Sequence, residues 1–537
     1  MNTTSHRKTH DIYRTCREIA GSAVWQRLMN GQEFTPEPEQ LIIGLERMGG
    51  QGIPEFLPDL ARLEWAIHEV EMTSPASRKD TDAISLNPSL RILEVSWQNL
   101  TELCNPAKPA SCRRPESGRE MILLWKVART GAVRFRPATS EDLLSLKMIS
   151  EAISAEQVAA EGKLPVGAVD TLIDGAVREG ILNAPPSGIR RDPRIFRAED
   201  GIGEEFLESF SFTLQWHITQ ACDLQCRHCY DRSDRSHMQL DQAVKVLDDL
   251  RVFCRSRHVI GAVSFTGGNP FLYPGFIELY RAASERGFSL AILGNPARRE
   301  ILEELLSIQM PTHIQVSLEG LPEHNDYIRG RGHFDRVMEF LRLLRELGIF
   351  SMVMLTLTQD NMHQIIPLAE LLRDHTDRFH FNRLSMVGEG ANLVLPGRDA
   401  YRAFLEEYER AVQGNPVLGL KDNMFNILRH ERNTELFGGC AGYGCGAAFN
   451  FLALLPDGEV HACRKLPSYL GNIFNKGIAE IYDSAEAGRY RSGCAACRGC
   501  AVRAVCGGCL AVAYSHGLNI IEEKDPFCFM PPAGARQ

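Results

Sequence analysis

An alternation of short apolar strands and amphipathic helices between residues 209 and 398 constrains the fold more than any other feature of the chain. The predicted strands cover residues 212–219, 262–265, 290–293, 314–317, 352–357 and 378–383. Strands separated by helices need crossover connections, and strands joined in this way pair in parallel. In such folds the functional loops follow the carboxyl ends of the strands. The sequence therefore predicts an α/β fold with a functional site at the carboxyl ends of a parallel sheet.

Length and charge narrow the classes of protein that this chain can represent. A chain of 537 residues is too long for one hydrophobic core, so several domains are expected. The net charge of −9 gives no basic surface for nucleic acid. No apolar run reaches the length of a membrane span, and the N-terminus lacks the hydrophobic core of a signal peptide. We expect a cytoplasmic protein with no nucleic-acid partner and no membrane partner.

Three closely spaced cysteines, Cys222, Cys226 and Cys229, follow the first predicted strand. Cysteines in a reducing compartment are more often metal ligands than disulfide partners. A four-iron cluster normally takes four thiolates, so three thiolates can bind a cube and leave one iron open to a small molecule. The alternative is a structural zinc site, which takes four ligands and favours pairs of Cys-x2-Cys. The spacing x3 and x2 favours the cluster.

The pattern Cys-x3-Cys-x2-Cys after an apolar strand resembles the signature of the radical S-adenosylmethionine (SAM) enzymes, and the resemblance extends from about residue 209 onward. It implies a partial (β/α)6 barrel and a [4Fe–4S] cluster at Cys222, Cys226 and Cys229 whose open iron binds SAM. It also implies reductive cleavage of SAM to a 5′-deoxyadenosyl radical, which takes hydrogen from an unactivated C–H bond. An electron donor such as flavodoxin or ferredoxin is then expected as a partner.

The run Phe265-Thr-Gly-Gly-Asn-Pro270 resembles the Gly-Gly-Glu-Pro motif of this family. Glycines let the backbone approach a ligand where a Cβ atom would collide, and the resemblance implies that Gly267 and Gly268 contact SAM. Taken alone, Gly-Gly-x-Pro is typical of a turn. Asn269 stands where the family usually has Glu, which puts any carboxylate role of that position in doubt.

Two further positions of the SAM site follow from a segment that resembles the family's Ser-Leu-Asp-Gly…Arg-Gly pattern. The resemblance implies that the hydroxyl of Ser317 binds the ribose and that Arg329 binds the carboxylate of SAM. His228 occupies the slot where relatives carry an aromatic residue against adenine. The alternative for the segment is a surface turn with solvated charges.

Nine further cysteines lie between residues 440 and 528, in a pattern that resembles the SPASM extension of radical SAM enzymes. The resemblance implies one auxiliary [4Fe–4S] cluster on Cys440, Cys445, Cys463 and Cys509, and a second on Cys497, Cys500, Cys506 and Cys528. Cys494 is left over and is close enough in sequence to replace a neighbour. The spacing between Cys506 and Cys509 is two residues where the family commonly has three. A module with two zinc ions is the structural alternative.

The N-terminal region carries no constellation of ionisable residues. Residues 10–75 predict helices and resemble the N-terminal helical module of a family described as DNA-binding, but they lack a basic face, so we assign them a packing role. Residues 154–182 predict the order helix, turn, helix, strand of a winged-helix unit. Radical SAM enzymes that modify peptides often carry such a unit, which pairs an edge strand with the leader of a precursor peptide.

These patterns predict a series of domains along the chain. The expected ranges are a helical N-terminal domain at 1–104, a winged-helix-like peptide-recognition domain at 118–184, a linker at 185–208, the radical SAM partial barrel at 209–398, bridging helices at 399–439 and the cysteine-rich SPASM domain at 440–537.

The family resemblance favours maturation of a ribosomally synthesised precursor peptide, with a thioether or a related cysteine-linked modification as the leading chemistry. Epimerisation, carbon–carbon coupling and modification of a selenocysteine-containing peptide are the open alternatives. The N-terminal region and the Gly-Gly-Asn-Pro run suggest the maturases of the selenobiotic peptide family. Sulfatase-type formylglycine formation is a weaker alternative, because those relatives place an Asp where this chain has Arg464. A non-catalytic metal-binding scaffold is the alternative from another class. The sequence names no catalytic or substrate-binding residue.

Overall fold

The secondary structure of the chain is arranged in two units that divide between Pro186 and Ser187 in this computed structural model. The structure describes residues 12–28, 38–49, 52–74, 82–104, 114–128, 130–196 and 203–531. Within these ranges no helix is both long and apolar enough to cross a membrane.

The first unit combines helices with a small antiparallel sheet. Its helices are α1 (Arg14–Ala20), α2 (Ser22–Leu28), α3 (Pro38–Arg47), α4 (Leu57–Met72), α5 (Leu100–Leu103), α6 (Ser140–Ser150), α7 (Ala155–Gly162) and α8 (Val166–Glu179). Its strands are β1 (Ser85–Leu86), β2 (Arg91–Gln98), β3 (Glu116–Lys126), β4 (Val133–Pro137) and β5 (Leu182–Asn183). Strand β3 lies between β2 and β4, and β1 pairs separately with β5.

Alternate side chains of β3 point to opposite faces of this sheet and join two different cores. Ile122 and Leu124 pack with the helices at residues 14–72, whereas Leu123 and Trp125 pack with α6 to α8. Strand β2, from the range predicted as the helical domain, pairs with β3, from the range predicted as the winged-helix domain. The two predicted ranges therefore meet in one sheet. Helices α7 and α8 and strand β5 follow one another in the predicted order.

The second unit contains the predicted alternation of strands and helices. Its strands are β6 (Ser211–Thr219), β7 (Ile260–Gly267), β8 (Ser289–Leu293), β9 (His313–Ser317), β10 (Ser351–Leu357), β11 (Arg378–Arg383), β12 (Phe451–Leu454), β13 (Glu459–His461) and β14 (Tyr469–Asn472). Its helices are α9 (Pro193–Phe196), α10 (Leu240–Ser256), α11 (Phe276–Glu285), α12 (Arg299–Ile308), α13 (Pro322–Arg329), α14 (His333–Glu346), α15 (Ile365–Leu372), α16 (Arg398–Gly414), α17 (Phe425–Glu431), α18 (Ile478–Asp483), α19 (Ala485–Ser492) and α20 (Leu510–Ser515).

These strands form one sheet in the order β11-β10-β9-β8-β7-β6-β12-β13-β14. The strands from β11 to β12 are parallel, and β13 and β14 continue the sheet in antiparallel pairing. The buried faces are apolar, with Phe212, Trp216 and Phe265 among the fully buried side chains of the core. The predicted α/β fold with a parallel sheet is confirmed.

Strand β12 comes from the predicted cysteine-rich domain, yet it pairs in parallel with β6, from Phe451 opposite Thr213 to Leu454 opposite Trp216. The predicted barrel and the predicted C-terminal domain therefore share one continuous sheet. Because β6 to β11 all run in the same direction, their carboxyl ends lie on one side, where the loop with Cys222, Cys226 and Cys229 also begins.

Candidate functional site

A cavity of about 460 Å³ opens at the carboxyl ends of the parallel strands. It brings together every residue predicted for the first cluster and for SAM: Cys222, Cys226, Cys229, His228, Gly267, Gly268, Ser317 and Arg329. The loop between β13 and β14 contributes Arg464 and Lys465 to the same cavity. Residues far apart in the sequence therefore face one space that is large enough for a small molecule.

The three cysteines of the triad differ in exposure and in their hydrogen-bond partners. Cys222 is exposed and accepts a long contact of 3.7 Å from Nδ2 of Asn295, while the half-buried Cys226 accepts one of 3.8 Å from Nη1 of Arg329. Burial raises the pKa of both thiols, and the charge of Arg329 opposes this rise at Cys226. N–H groups directed at cluster sulfurs are a recognised way to tune iron–sulfur sites, so these surroundings fit a cluster.

The two glycines that are predicted to contact SAM also lie very close to the protein's own backbone. Gly267 has a φ of +129°, and a Cβ atom there would lie 2.2 Å from the carbonyl oxygen of Thr219. A Cβ atom on Gly268 would lie 2.3 Å from the carbonyl oxygen of Ala221. The glycines therefore allow the end of β7 to pack against the backbone that leads into the cysteine triad, and they line the cavity at the same time.

A buried glutamate that the sequence analysis did not single out organises two of the predicted SAM residues. Oε1 of Glu319 accepts hydrogen bonds from Nε and Nη2 of Arg329, at 2.9 and 2.6 Å, and lies 3.2 Å from Nε2 of His228. Burial alone would raise the pKa of this carboxyl, but His228, Arg329 and the backbone N–H of Thr356 hold it well below its usual range. Arg329 is thus fixed by a permanent carboxylate, with its Nη1 directed at Cys226.

A second carboxylate lies next to the position where the family motif would place one. Asp223, directly after Cys222, accepts hydrogen bonds through Oδ1 from Nδ2 of Asn269 at 3.0 Å and from Nδ2 of Asn295 at 2.6 Å. Asp223 therefore places a carboxylate beside Asn269, and it orients the amide of Asn295 that reaches the Cys222 sulfur. The sequence signal was the pair of asparagines after β7 and β8, which only the fold brings together.

The wall that faces the triad carries polar side chains from β6 and from the C-terminal region. His217 is buried, and its Nε2 lies 3.1 Å from the hydroxyl of Tyr230. Burial lowers the pKa of His217 to about 3, with Arg464 adding to the effect, so this imidazole is neutral. Nη1 of Arg464 donates to the hydroxyl of Thr266 at 3.2 Å. These residues form the polar wall of the cavity.

The cysteines of the C-terminal region fall into two spatial groups. Cys445 has Cys463 and Cys440 as neighbours, and Cys463 and Cys445 both neighbour Cys509. Cys497, Cys500, Cys506 and Cys528 form the second group, with the buried Cys494 beside Cys497. The structure thus brings the members of each predicted set together, and the binding of a cluster by each set stays a prediction.

A buried charge triad connects the end of β11 to the cysteine-rich segment. Arg383 donates from Nε to Asp422 at 2.8 Å and from Nη1 and Nη2 to the two oxygens of Asp525 at 2.9 and 2.8 Å. Asp525 also accepts from the backbone N–H of Cys509 at 2.8 Å. A single arginine therefore links the barrel strand to a residue that positions a predicted cluster ligand.

Comparison with known protein families gives two matches in this chain. Residues 216–372 match the radical SAM superfamily, and residues 445–509 match SPASM, an iron–sulfur cluster-binding domain. The first match contains the cysteine triad and most of the parallel strands, and the second contains most of the C-terminal cysteines.

Several characterised proteins are similar to a little more than half of this chain. The antilisterial bacteriocin subtilosin biosynthesis protein AlbA of Bacillus subtilis is 29% identical over 324 residues, which is 57% of this chain and 67% of AlbA. The mycofactocin maturase MftC of Mycolicibacterium smegmatis is 28% identical over 334 residues, or 59% of this chain and 82% of MftC. The AdoMet-dependent heme synthase of Methanosarcina barkeri is 27% identical over 346 residues, or 59% of this chain and 96% of the synthase.

Among solved structures, Streptococcus suis SuiB bound to its precursor peptide SuiA superposes with a TM-score of 0.50 at 18% identity. The match covers 76% of this chain and 96% of SuiB. At this identity the likeness shows a shared fold.

Proposed function

Because the chain is a radical SAM enzyme with a C-terminal SPASM domain, we propose that it modifies a ribosomally synthesised precursor peptide. The family membership confirms the predicted barrel class, the [4Fe–4S] cluster with SAM and the presence of auxiliary iron–sulfur clusters. When bound, the cluster and SAM supply a 5′-deoxyadenosyl radical that takes hydrogen from an unactivated C–H bond. The observation that carries the proposal is that the predicted cluster and SAM residues line the same cavity as side chains of the SPASM domain.

The contacts support distinct roles for the cavity residues. Cys222, Cys226 and Cys229 would hold the site cluster, with N–H donors already directed at two of their sulfurs. Arg329 would bind the SAM carboxylate, because Glu319 fixes its guanidinium and leaves Nη1 on the side of Cys226. Gly267, Gly268, Ser317 and His228 would complete the SAM site, since all of them line the same cavity.

The two groups of C-terminal cysteines would hold two auxiliary [4Fe–4S] clusters. Fully ligated clusters have no iron open to substrate, so their role would be electron transfer to or from the cavity. Lys421 directs its Nζ at the sulfur of Cys440, 3.7 Å away, which places a positive charge beside the first group. An external flavodoxin or ferredoxin would deliver the electron that starts the reaction.

The first unit would recognise the leader of the precursor peptide. Strands β2 and β4 are the edges of its antiparallel sheet, and helices α6 to α8 cover one face. An extended peptide can add to such an edge through main-chain hydrogen bonds, which is the mode called β-augmentation. Two of the relatives are named as a bacteriocin biosynthesis protein and a maturase, which supports a peptide substrate for this chain.

Thioether formation from a cysteine of the peptide is the finer form of the proposal. The 5′-deoxyadenosyl radical would take one hydrogen atom from the attacked carbon, the thiol would lose its proton to solvent, and the electron left after the C–S bond forms would pass to an iron–sulfur cluster. The product would be lighter by two hydrogens. Formylglycine formation is less well supported, because the position of its expected base is occupied by Arg464.

The test begins with anaerobically reconstituted, full-length protein. We expect about 12 irons per chain from three cubes and, after reduction, formation of 5′-deoxyadenosine from SAM. A Cys226→Ala variant should lose this activity, whereas the matched Cys254→Ala variant, which removes a buried thiol of α10, should retain it. Iron-loaded protein that never cleaves SAM would favour the scaffold alternative, and a preparation with mostly zinc would contradict the auxiliary clusters.

The substrate is tested by co-expression with short cysteine-containing reading frames that neighbour the gene. A loss of two hydrogens, located by tandem mass spectrometry to a cysteine, would support the thioether. A peptide that changes mass without involvement of a cysteine would refute the thioether and keep the peptide maturase.

A further inference from the structure

The loop between β13 and β14 places two adjacent cations, Arg464 and Lys465, on the wall of the cavity. The backbone of this loop is held in place from several directions. Ser385 donates to the carbonyl oxygen of Lys465 at 3.2 Å, and the N–H of Leu466 bonds to the carbonyl of Cys463 at 3.2 Å. The two charges therefore have fixed positions along the wall.

The other cations of the cavity are already paired with carboxylates. Arg329 bonds to Glu319, and Arg232 lies 3.4 Å from Glu389. The acidic side chain of the cavity, Asp231, accepts its hydrogen bonds from Gln220 and Ser233. In contrast to these, Arg464 and Lys465 form no ion pair within the residues that the structure describes.

Most hydrogen-bond donors of the two side chains are therefore available to a ligand. The guanidinium of Arg464 has five N–H donors, of which one bonds to Thr266, and the ammonium of Lys465 has three. Unpaired charges in a partly enclosed space are unfavourable, and an anion that enters offsets that cost. A carboxylate suits the pair, because its two oxygens match the fork of an arginine and accept from a neighbouring ammonium.

We propose that Arg464 and Lys465 form a binding site for a carboxylate of the substrate, within the cavity that the predicted cluster and SAM residues also line. The inference rests on the proposed function insofar as the cavity holds the reacting segment of a substrate. It accounts for the cation at position 464, since an Asp there would repel such a substrate. The carboxylate belongs to an acidic side chain or to the C-terminus of the peptide, and the two sources share the same chemistry.

Arg464 and Lys465 have two alternative roles that experiment can distinguish from binding of a substrate carboxylate. They would bind the carboxylate of SAM if Arg329 did not, because Arg464 contacts the residue before Gly267. They would neutralise an auxiliary cluster if their main partners were thiolates, because Arg464 and Lys465 directly follow Cys463 in the chain. The experiment therefore measures substrate-side binding, SAM binding and cluster properties separately.

The test uses fully reconstituted enzyme with SAM present and three labelled, N-acetylated tripeptides in equilibrium dialysis. The first has a central glutamate and a C-terminal amide, the second a central glutamine and a free C-terminus, and the third a central glutamine and an amide, so that it has no carboxylate. We expect the first or the second to bind at least about tenfold more tightly than the third. Which of the two binds identifies the source of the carboxylate.

The Arg464→Gln, Lys465→Gln double variant should lose this preference, while its iron content and its affinity for SAM stay unchanged. The matched control is Lys476→Gln, which removes an exposed charge of the same domain that pairs with Glu480 outside the cavity. Equal binding of all three probes by the wild type would overturn the proposal. A double variant with weaker SAM binding, or with altered auxiliary-cluster spectra and unchanged probe binding, would also overturn it. Failure of the proposed function is separate, because it would appear as a wild type that makes no 5′-deoxyadenosine.

Discussion

Replacement of Arg383 by methionine should destabilise the second unit strongly. The guanidinium is buried and makes three hydrogen bonds of 2.8 to 2.9 Å to Asp422 and Asp525, both of which are buried as well. Burial alone would lower the pKa of Arg383, but the two carboxylates raise it far above its usual value. The arginine is therefore charged, and its removal leaves two buried carboxylates without their cationic partner.

The expected magnitude follows from what the two aspartates retain. Asp525 keeps the N–H groups of Cys509 and Phe527, and Asp422 keeps the N–H of Met424, so neither carboxylate loses every partner. Removal of one partner from a buried ion pair typically costs about 3–5 kcal/mol. We expect a loss in this range for Arg383→Met, together with a fall in iron content, because Asp525 positions the backbone of Cys509.

The assay is denaturant unfolding of the wild type and the variant, read from tryptophan fluorescence, alongside iron analysis after identical reconstitution. The control is Arg299→Met, which breaks an exposed pair with Glu346 and should cost less than about 1 kcal/mol. Adding Asp525→Asn to Arg383→Met should recover part of the loss, because it removes one stranded charge. An Arg383→Met protein as stable as the Arg299→Met control would refute the reasoning.

Three other expectations concern the cavity and the pH dependence of stability. Asn295→Leu removes the N–H directed at the Cys222 sulfur, so a more negative midpoint potential of the site cluster is expected in a redox titration followed by electron paramagnetic resonance; an unchanged potential would contradict this contact. Glu319→Gln frees Arg329 from its ionic partner and should weaken SAM binding at least about tenfold, whereas unchanged affinity would remove Arg329 from the SAM site. Burial lowers the pKa of His380 to about 4. Between about pH 6.5 and pH 4 this imidazole is therefore protonated in the unfolded chain but not in the folded chain, so the free energy of unfolding should fall as the pH is lowered through that range. His380→Gln should make that decline shallower in unfolding curves measured across this range, and an identical slope would argue against a buried, neutral imidazole.

The sequence predicted the barrel and its cysteine triad because both signals are local. Each parallel strand is a short apolar run followed by a helix, and the ligands of the site cluster lie within one loop. The residues that support this loop come from distant positions. Asp223, Asn269 and Asn295 meet only because parallel pairing brings the ends of β6, β7 and β8 to the same side.

The expected domain limits show that local sequence patterns do not predict which strands pair across a linker. The polar, proline-rich stretch at 105–117, whose last two residues begin β3, has the composition of a linker, yet β2 before it and β3 are partners in one sheet. The sequence of a strand does not identify the strand with which it pairs, because many apolar strands have compatible alternation. The pairing of β12 with β6 escaped prediction for the same reason.

The pairing of β6 with β12 also determines the order in which the molecule can be completed. Strand β6 leads directly into the loop with Cys222, but one of its two neighbours, β12, lies near the end of the chain. During synthesis the edge of β6 that pairs with β12 therefore stays open, with unpaired N–H and C=O groups, until most of the protein has been made. The sheet beside the triad is accordingly completed late in assembly, and a chain cut before β12 would carry the cysteines next to an open edge that is prone to self-association.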